Sequence, residues 1–221
     1  MTNFIKGSLI MILTLIIFAG ETTMAQSKTG KETGVHNLMP VPENIEFGTG
    51  NYRLDTSFVF KVEGFTTKRL NAYATRVLRR LSARTGLFIL QDNVSNSDTL
   101  KNPGLIIKVD REGEVKLGVD ESYKLEVSAS GVKLNAVTDI GAMRGLETLL
   151  QLIEKDKKGY FLPVVKIEDK PFYKWRGLMI DACRHWMPMD MVLRNIDGMA
   201  AVKMNVLHFH LSEDQGFRIE S

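Results

Sequence analysis

The chain has 221 residues, 44% of them hydrophobic, which is enough to bury the core of one or two domains and excludes a disordered protein. Its formal net charge of +3 is spread over 29 basic and 26 acidic side chains. Because no one-sided field of charge results, we expect no nucleic-acid partner. A single cysteine, Cys183, excludes a disulfide within the chain.

The N-terminal segment has the pattern of an export signal. A basic residue precedes the apolar run Leu9–Ala19, and small side chains end the segment at Ala25. A membrane anchor is the alternative, but the run is shorter than the ~20 residues that a spanning helix needs. We predict a signal peptide over residues 1–25 and a flexible polar leader over residues 26–35. The protein would then be exported, to the periplasm or the exterior of a bacterium, with no stable membrane anchor after cleavage.

Residues 36–170 are predicted to form one α+β domain. Alternating apolar residues predict strands in "MPVPENIEFG", "SFVFKVEG", "LFIL", "GLIIKVD" and "YKLEVSASGVKLNAV", the last with a hairpin turn at Ser130-Gly131. Apolar residues at helical spacing predict helices over Thr66–Arg84, terminated by Gly86, and over Asp139–Ile153. Several strands with two helices indicate an antiparallel sheet covered by two helices.

The first predicted helix has a strongly basic face, whose members are Lys68, Arg69, Arg76, Arg79, Arg80 and Arg84. Such a face is compatible with binding nucleic acid or an acidic glycan. No aromatic side chains are interleaved with these charges, so a solvated helix face is the better interpretation.

The organisation changes after Pro171. "RGLMID" (Arg176–Asp181) predicts a short buried strand, Pro188 opens a helix that runs to about Lys203, and "NVLHFHL" predicts a second strand. A strand, a helix and a strand within so short a segment form a βαβ unit, in which the two strands are parallel.

Polar side chains follow both strands of this unit. Since reactive groups in βα architectures gather at the carboxyl ends of the strands, we expect these residues to share one rim. They are Asp181, Arg184 and His185 after the first strand, and His208, His210, Glu213 and Asp214 at the second. The guanidinium of Arg184 suits vicinal hydroxyls or a carboxylate, and an ion pair with Asp181 or Glu213 is an equal alternative.

A metal site is the competing interpretation of the histidines. His208 and His210 point to the same face of a strand, and Glu213 offers a third ligand. The spacing is shorter than in cupins, and an amidohydrolase would place His-x-His on its first barrel strand. We therefore expect one or both imidazoles to be hydrogen-bonded inside the rim, and we predict no metal. Cys183 is expected to be a small packing residue. Six methionines are expected to fill the core and the helices: Met179, Met187, Met189, Met191, Met199 and Met204.

Several motifs in the last fifty or so residues resemble a known family. "WRGLMIDACRHWMP" and "IDGMAAVKMNVLHFHLSEDQGFRIES" contain Arg-Gly-Leu-x-x-Asp, Arg-His-x-x-Pro, Lys-Met-Asn, His-x-His-Leu and Asp-Gln-Gly-x-Arg. They are similar to the start of the catalytic barrel of family 20 glycoside hydrolases, the β-N-acetylhexosaminidases. "MPVPENIEF" and "TDIGAMRGLETLLQLI" are similar to the non-catalytic domain that precedes that barrel. The resemblance implies an α+β domain over residues 36–170 and, over residues 171–221, the first βαβ unit of an incomplete (β/α)8 TIM barrel.

The resemblance also implies roles for individual residues. Arg184 matches the arginine that binds hydroxyls of the terminal N-acetylhexosamine. Glu213 stands where the family often has aspartate, the carboxylate that supports a histidine near the acid/base. The remaining polar residues of the rim are implied to support the pocket: Asp181, His185, His208, His210 and Asp214. No cofactor is implied.

The implied reaction is retaining hydrolysis in which the 2-acetamido oxygen of the substrate attacks the anomeric carbon. The family uses an adjacent Asp-Glu pair on a later barrel strand, and no dipeptide here suits that role, because Asp120-Glu121 lies in the first domain and Glu213-Asp214 has the reverse order. We therefore expect an inactive N-terminal fragment of an enzyme acting on N-acetylhexosamine-terminated glycans. A non-catalytic module that binds a glycan or a protein is the alternative. The sequence leaves open the choice between glucosamine and galactosamine and whether the full-length parent is a homodimer.

Overall fold

The computed structural model describes residues 36–90, 94–95 and 102–220. The predicted signal peptide and leader lie outside these residues. The strands are β1 (Asn44–Arg53), β2 (Phe60–Gly64), β3 (Val94–Ser95), β4 (Leu105–Arg111), β5 (Tyr123–Ser128), β6 (Gly131–Thr138), β7 (Glu154–Asp156), β8 (Gly159–Asp169), β9 (Gly177–Asp181), β10 (Val206–His210), β11 (Ser212–Glu213) and β12 (Gly216–Phe217). The helices are α1 (Lys68–Thr85), α2 (Asp139–Gln151) and α3 (Met189–Ala201).

The first helices begin and end where their sequence provides capping groups. At α1, the Thr67 hydroxyl accepts a hydrogen bond from the amide of Leu70, and Gly86 ends the helix with a φ of 72°. At α2, the Thr138 hydroxyl accepts from the amide of Gly141. Both predicted helices are therefore confirmed, with boundaries that differ by at most two residues.

A mixed sheet forms the centre of the first part of the chain. Among the described residues, its strand order is β1-β8-β5-β6-β4-β2-β3, with β7 also pairing with β8. The β1, β8, β5 and β6 strands pair antiparallel, whereas β6, β4, β2 and β3 pair parallel. The prediction of an antiparallel sheet was therefore wrong for half of the sheet. The hairpin turn at Ser130-Gly131 is confirmed between β5 and β6.

The core lies between one face of this sheet and the two helices. Leu125, Leu134 and Ile107 point inward from three adjacent strands and are buried, as are Leu78 of α1 and Leu149 of α2. The strand predicted for "LFIL" is not formed, since residues 86–90 have no sheet partner and Phe88 is 80% exposed. Among the described residues, no helix combines the length and the apolar character needed to cross a membrane.

The basic face of α1 contacts protein rather than solvent alone, contrary to the prediction. Arg69 binds Asp139, the first residue of α2, and Arg80 binds the buried carboxylate of Glu147 in the same helix. Arg84 donates to the carbonyl of Leu150 at 2.7 Å. Because α2 places its acidic side chains and a terminal carbonyl toward α1, the two helices are held together by charge-assisted hydrogen bonds as well as by apolar contact.

The predicted βαβ unit is confirmed. Strands β9 and β10 pair in parallel, with His210 opposite Asp181 and Val206 opposite Gly177, and α3 connects them. The methionines divide: Met199 is buried, whereas Met179 and Met189 are 53% and 68% exposed and Met191 is 39% exposed. Met189 and Met191 do lie in a helix, α3, but the prediction of core packing is wrong for all three of these exposed side chains within the described residues.

Buried polar contacts join this unit to the first domain. The carboxylate of Glu121 accepts hydrogen bonds from Arg144 of α2 and from Arg176, which precedes β9, both at 2.6 Å. Lys203 follows α3 with a φ of 59°, and its ammonium binds Asp169 at 2.9 Å and the Tyr123 hydroxyl at 2.8 Å. The base of the βαβ unit is thus tied to the sheet at two points.

Candidate functional site

The carboxyl ends of β9 and β10 bring together four of the predicted site residues, which we call the rim cluster: Asp181, Arg184, His210 and Glu213. Asp181 ends β9 and His210 ends β10 directly opposite it. Arg184 follows in the loop after β9, and Glu213 lies in the short strand β11. The parallel pairing therefore delivers both polar segments to one edge, as the sequence predicted.

Ionic contacts connect the members of the rim cluster. The Nε of Arg184 donates to Asp181 Oδ2 at 2.5 Å and lies 3.3 Å from Glu213 Oε2. His210 Nε2 lies at 3.3 Å from the same Glu213 oxygen. The other oxygen of Glu213, Oε1, is buried without a hydrogen-bond partner among the described residues. Such an oxygen favours a hydrogen-bond donor from a ligand or from another part of the protein.

The loop that carries Arg184 is folded around the carboxylate of Asp181. Asp181 Oδ1 accepts hydrogen bonds from the amides of Cys183 and Arg184, at 3.0 and 3.1 Å. The backbone hydrogen bond from Arg184 lowers the pKa of Asp181 most, and the guanidinium of the same residue adds to the effect. The carboxyl group therefore stays ionised at neutral pH and is not suited to act as a general acid.

Of the two alternatives that the sequence left open for Arg184, the ion pair is formed, and the binding of a ligand stays a prediction. The guanidinium is paired with Asp181 and with Glu213 through Nε, yet neither terminal nitrogen donates a hydrogen bond to the described part of the protein. One edge of the guanidinium is thus held by the protein, and the other edge is available to a ligand with hydroxyl or carbonyl oxygens.

Three predicted residues do not join the rim cluster. His185, His208 and Asp214 are exposed, and none of them bonds to the cluster within the described residues. His208 lies on the same face of β10 as His210 but opposite Met179, two residues nearer the base of the strand. The expectation that one or both imidazoles are hydrogen-bonded is met by His210, and no such bond is found for His208 among the described residues.

The metal alternative requires a different set of residues from the one that the spacing suggested. Ligand atoms of Asp181, His210 and Glu213 lie within 4.8 Å of one another, and His208 is not among them. The guanidinium of Arg184 already contacts both carboxylates, so a divalent cation would have to displace a fixed positive charge. The arrangement suits an arginine-centred site better than a metal centre.

Arg218 and the hairpin of β11 and β12 are features that reasoning about single residues missed. Arg218 donates to the carbonyl of Cys183 at 2.9 Å, and its guanidinium lies 5.9 Å from the centre of the Trp186 ring. The thiol of Cys183 is buried and donates to the carbonyl of Gly216 at 2.7 Å. These contacts fasten the hairpin to the loop that bears Arg184. Arg218 is part of the Asp-Gln-Gly-x-Arg motif, and this motif is the sequence signal that could have identified it.

The Asp-Glu dipeptide of the first domain has a structural role. Asp120 accepts hydrogen bonds from the amide and hydroxyl of Ser122, and Glu121 is the buried acceptor for Arg144 and Arg176. Neither side chain contacts the rim cluster. The described residues therefore place this dipeptide at the junction with the βαβ unit.

Two family models match the chain. The model described as "beta-acetyl hexosaminidase like" matches residues 38–152. The model described as "Glycosyl hydrolase family 20, catalytic domain" matches residues 173–221, the segment that contains the rim cluster. The first of these matches alone covers more than half of the 221 residues.

Solved structures and curated relatives agree with these matches. A chitobiase from Flavobacterium johnsoniae is 46% identical with a TM-score of 0.79, over 83% of this chain and 28% of that chain. An exo-β-N-acetylglucosaminidase from Vibrio harveyi, solved with N-acetylglucosamine, is 27% identical with a TM-score of 0.68, over 86% and 28%. Beta-hexosaminidase subunit A2 of Dictyostelium discoideum is 34% identical over 84% of this chain, and the match spans 34% of that relative. The chain thus spans about one third of the length of such curated relatives, and it belongs to the β-hexosaminidases of glycosyl hydrolase family 20.

Proposed function

We propose that this chain supplies the N-terminal domain and the first βαβ unit of an exported β-N-acetylhexosaminidase. The enzyme would remove terminal non-reducing N-acetylglucosamine or N-acetylgalactosamine from glycans. The observation that carries the proposal is the guanidinium of Arg184, which the rim cluster holds at Nε. Its two terminal nitrogens have no hydrogen-bond partner among the residues that the structure describes, so they can bind hydroxyls. A relative solved with bound N-acetylglucosamine supports the class of ligand.

The proposed reaction retains the anomeric configuration and uses the substrate's own acetamido oxygen as nucleophile. Arg184 would bind ring hydroxyls and so fix the sugar, while Glu213 and His210 would shape the neighbouring wall of the pocket. A carboxylic acid and an adjacent aspartate that orients the acetamido group would come from later strands of the barrel. A complete barrel takes about 250 residues, so residues 171–221 would form only its beginning.

Activity on an aryl N-acetyl-β-glucosaminide tests the proposal. Two polypeptides are compared, one of residues 26–221 and one in which the same reading frame extends through a complete barrel. We expect turnover only in the longer polypeptide, and we expect Arg184→Met to abolish most of it. Comparable turnover by the shorter polypeptide would contradict the proposed division of roles.

A non-catalytic binding module is the second candidate, and one observation favours it. Both carboxylates of the rim cluster are paired with Arg184, and the lowered pKa of Asp181 keeps that residue from acting as a proton donor. Both candidates predict that N-acetylglucosamine binds to the chain, whereas only the binding module predicts that no extension of the reading frame supplies an Asp-Glu pair. Sequencing the codons after that of Ser221 separates the two candidates directly.

Export is tested independently of activity. If residues 1–25 are a signal peptide, expression in a bacterium with its own signal peptidase should yield a mature protein that begins at Gln26. Intact-mass measurement of the protein from the periplasmic fraction checks this. Retention of Met1 in a membrane fraction would instead support an anchor.

A further inference from the structure

The guanidinium of Arg184 has two edges with different surroundings. At one edge, Nε donates to Asp181 at 2.5 Å and faces Glu213 at 3.3 Å. At the other edge, the two terminal nitrogens make no hydrogen bond with any described residue. A guanidinium anchored in this way loses little rotational freedom when a ligand binds, because its plane is already fixed.

Asp181 is the residue that fixes this plane. Its carboxylate binds both the amide and the Nε of Arg184, and it also binds the amide of Cys183. As the last residue of β9, Asp181 is itself held by the parallel ladder, where it lies opposite His210. Glu213 is more distant from the guanidinium and shares its oxygen with His210. The direction in which the free edge points is therefore set mainly by Asp181.

The rim cluster has an excess of negative charge. It contains two carboxylates and one guanidinium, so its net charge is negative whenever the imidazole of His210 is neutral. The guanidinium of Arg218 is turned toward the Cys183 carbonyl and the Trp186 ring, and within the described part of the chain it forms no ion pair with these carboxylates. The excess negative charge would repel an anion that approached the free edge of Arg184, whereas it would not repel a neutral hydroxyl group.

We propose that Asp181 is a positioning residue, which holds Arg184 by its Nε edge and makes the site selective for neutral, hydroxyl-bearing sugars over sugars that carry a carboxylate or a sulfate. The inference rests on the proposed function and narrows its substrate class. Asp181 itself does not contact the sugar. It acts by holding Arg184 in place, and its negative charge also repels anionic ligands.

The positioning role is tested in the free protein by NMR of the arginine Nε–Hε groups. In the full chain, Arg184 should give a distinct Nε–Hε signal that exchanges slowly with water, because this hydrogen is donated to a carboxylate. In Asp181→Asn the signal should move to the position of exposed arginines, and in Asp181→Glu it should recover at least in part. An unchanged signal in Asp181→Asn would overturn the inference.

Selectivity is tested by titrating the same proteins with N-acetylglucosamine and, separately, with inorganic sulfate as the anionic probe. In the wild type, we expect N-acetylglucosamine to shift the Arg184 signal and sulfate to leave it in place. In Asp181→Asn, affinity for the sugar should fall about tenfold, and sulfate binding should become stronger by about the same factor. A merely structural role would weaken both ligands together, and that result would overturn the inference.

Two further measurements keep the outcomes separate. Asp190→Asn removes an exposed carboxylate from the first turn of α3 without touching Arg184, so it should leave the Nε–Hε signal and both affinities unchanged. Urea unfolding of each variant shows whether the fold is retained. Failure of the wild type to bind N-acetylglucosamine would count against the proposed function, whereas sugar binding that is indifferent to Asp181 would count against the inference alone.

Discussion

Lys203 is a buried cation whose removal should be costly. Its side chain is 7% exposed and that of its partner Asp169 is 8% exposed. Burial lowers the pKa of Lys203, which shows that desolvation outweighs the attraction of Asp169. The ion pair therefore contributes little net stability, but each buried charge depends on the other for compensation.

Replacing only one partner of this pair should expose that dependence. We expect Lys203→Met to lower the free energy of unfolding by about 3 kcal/mol, because Asp169 would keep a buried charge with only the Tyr123 hydroxyl and the Glu43 amide as donors among the described residues. The double variant Lys203→Met, Asp169→Leu should recover much of the loss. Urea unfolding measures both. Lys170→Met, which removes an exposed lysine that pairs with Glu43 at 3.3 Å, serves as the control and should change stability by less than about 1 kcal/mol.

Asp139 makes the stability of the first domain depend on pH in the acidic range. Burial alone would raise the pKa of its carboxyl group, but hydrogen bonds from Arg69, the Gly113 amide and Thr67 lower the pKa below the usual 3.8. The ionised form therefore stabilises the fold above that pH, and the contribution is lost as the pH falls through the depressed pKa of the folded state.

The acid dependence should be specific to this carboxylate. We expect Asp139→Asn to be less stable than the wild type by about 3 kcal/mol at pH 7 and to lose less stability between pH 4 and pH 2. Thermal unfolding across this pH range provides the measurement. A parallel decline of both proteins with pH would show that other carboxylates govern the acid transition.

At the scale of the elements, helix α2 illustrates a conflict between local preference and packing. Gly145 lies inside the helix, where alanine is a better helix former by about 1 kcal/mol. A Cβ at this position would lie 2.3 Å from Leu134 Cδ1 and 3.0 Å from Tyr123 Cδ2, both in the buried sheet face. The glycine allows α2 to approach β5 and β6 closely.

Two glycine substitutions should therefore change the free energy of unfolding in opposite directions. Gly145→Ala should lower the free energy of unfolding by about 1–3 kcal/mol, since buried side chains must move to admit the methyl group. Gly198→Ala in α3 has no atom within 4 Å of the added Cβ and should raise stability by about 0.5–1 kcal/mol. Urea denaturation of the two variants tests this contrast. Stabilisation by Gly145→Ala would mean that the helix does not approach the sheet as described.

The sequence predicted individual elements better than their arrangement. Helix α1 was found because apolar spacing, a Thr cap and Gly86 are all local signals, and the parallel pairing of β9 and β10 followed from a short crossover. The parallel half of the large sheet could not be found in this way, because β4 inserts between β6 and β2 through contacts between distant segments. The same is true of the basic face of α1, whose partners lie about seventy residues further along the chain.

The rim cluster shows the same division at the site. The strand ends predicted that Asp181, Arg184, His210 and Glu213 lie together. Only the folded structure distinguishes His210, which binds Glu213, from His208, which does not. The spacing of two residues puts both imidazoles on one face and says nothing about which of them reaches the loop beyond β10. The roles of these residues in binding stay predictions.

At the scale of the whole molecule, Glu121 joins the two parts of the chain. One buried carboxylate accepts hydrogen bonds from Arg144 in the first domain and from Arg176 at the start of β9. Both arginine side chains are 15% exposed and the carboxylate is 3% exposed. Removing the negative charge leaves two guanidinium groups close together without their shared acceptor.

Glu121→Gln should separate the unfolding of the two parts. Both tryptophans of the chain, Trp175 and Trp186, lie after residue 170, so fluorescence reports on the βαβ unit while circular dichroism reports on the whole protein. We expect the two signals to change together with urea in the wild type, and we expect fluorescence to change first in Glu121→Gln. Glu126→Gln, which removes a half-exposed partner of Lys166, should leave the signals coincident. Coincident signals in Glu121→Gln would contradict the proposed coupling.

The two ion pairs at the base of the βαβ unit have their acceptors and donors in the same order along the chain. Each acceptor, Glu121 and Asp169, precedes its donor, Arg176 and Lys203, in the sequence. Since N-terminal domains generally fold first during synthesis, the acceptors would be in position before the ribosome has released the donors. The finished sheet would then act as a template on which β9, α3 and β10 assemble, so that translation itself sets the order of assembly.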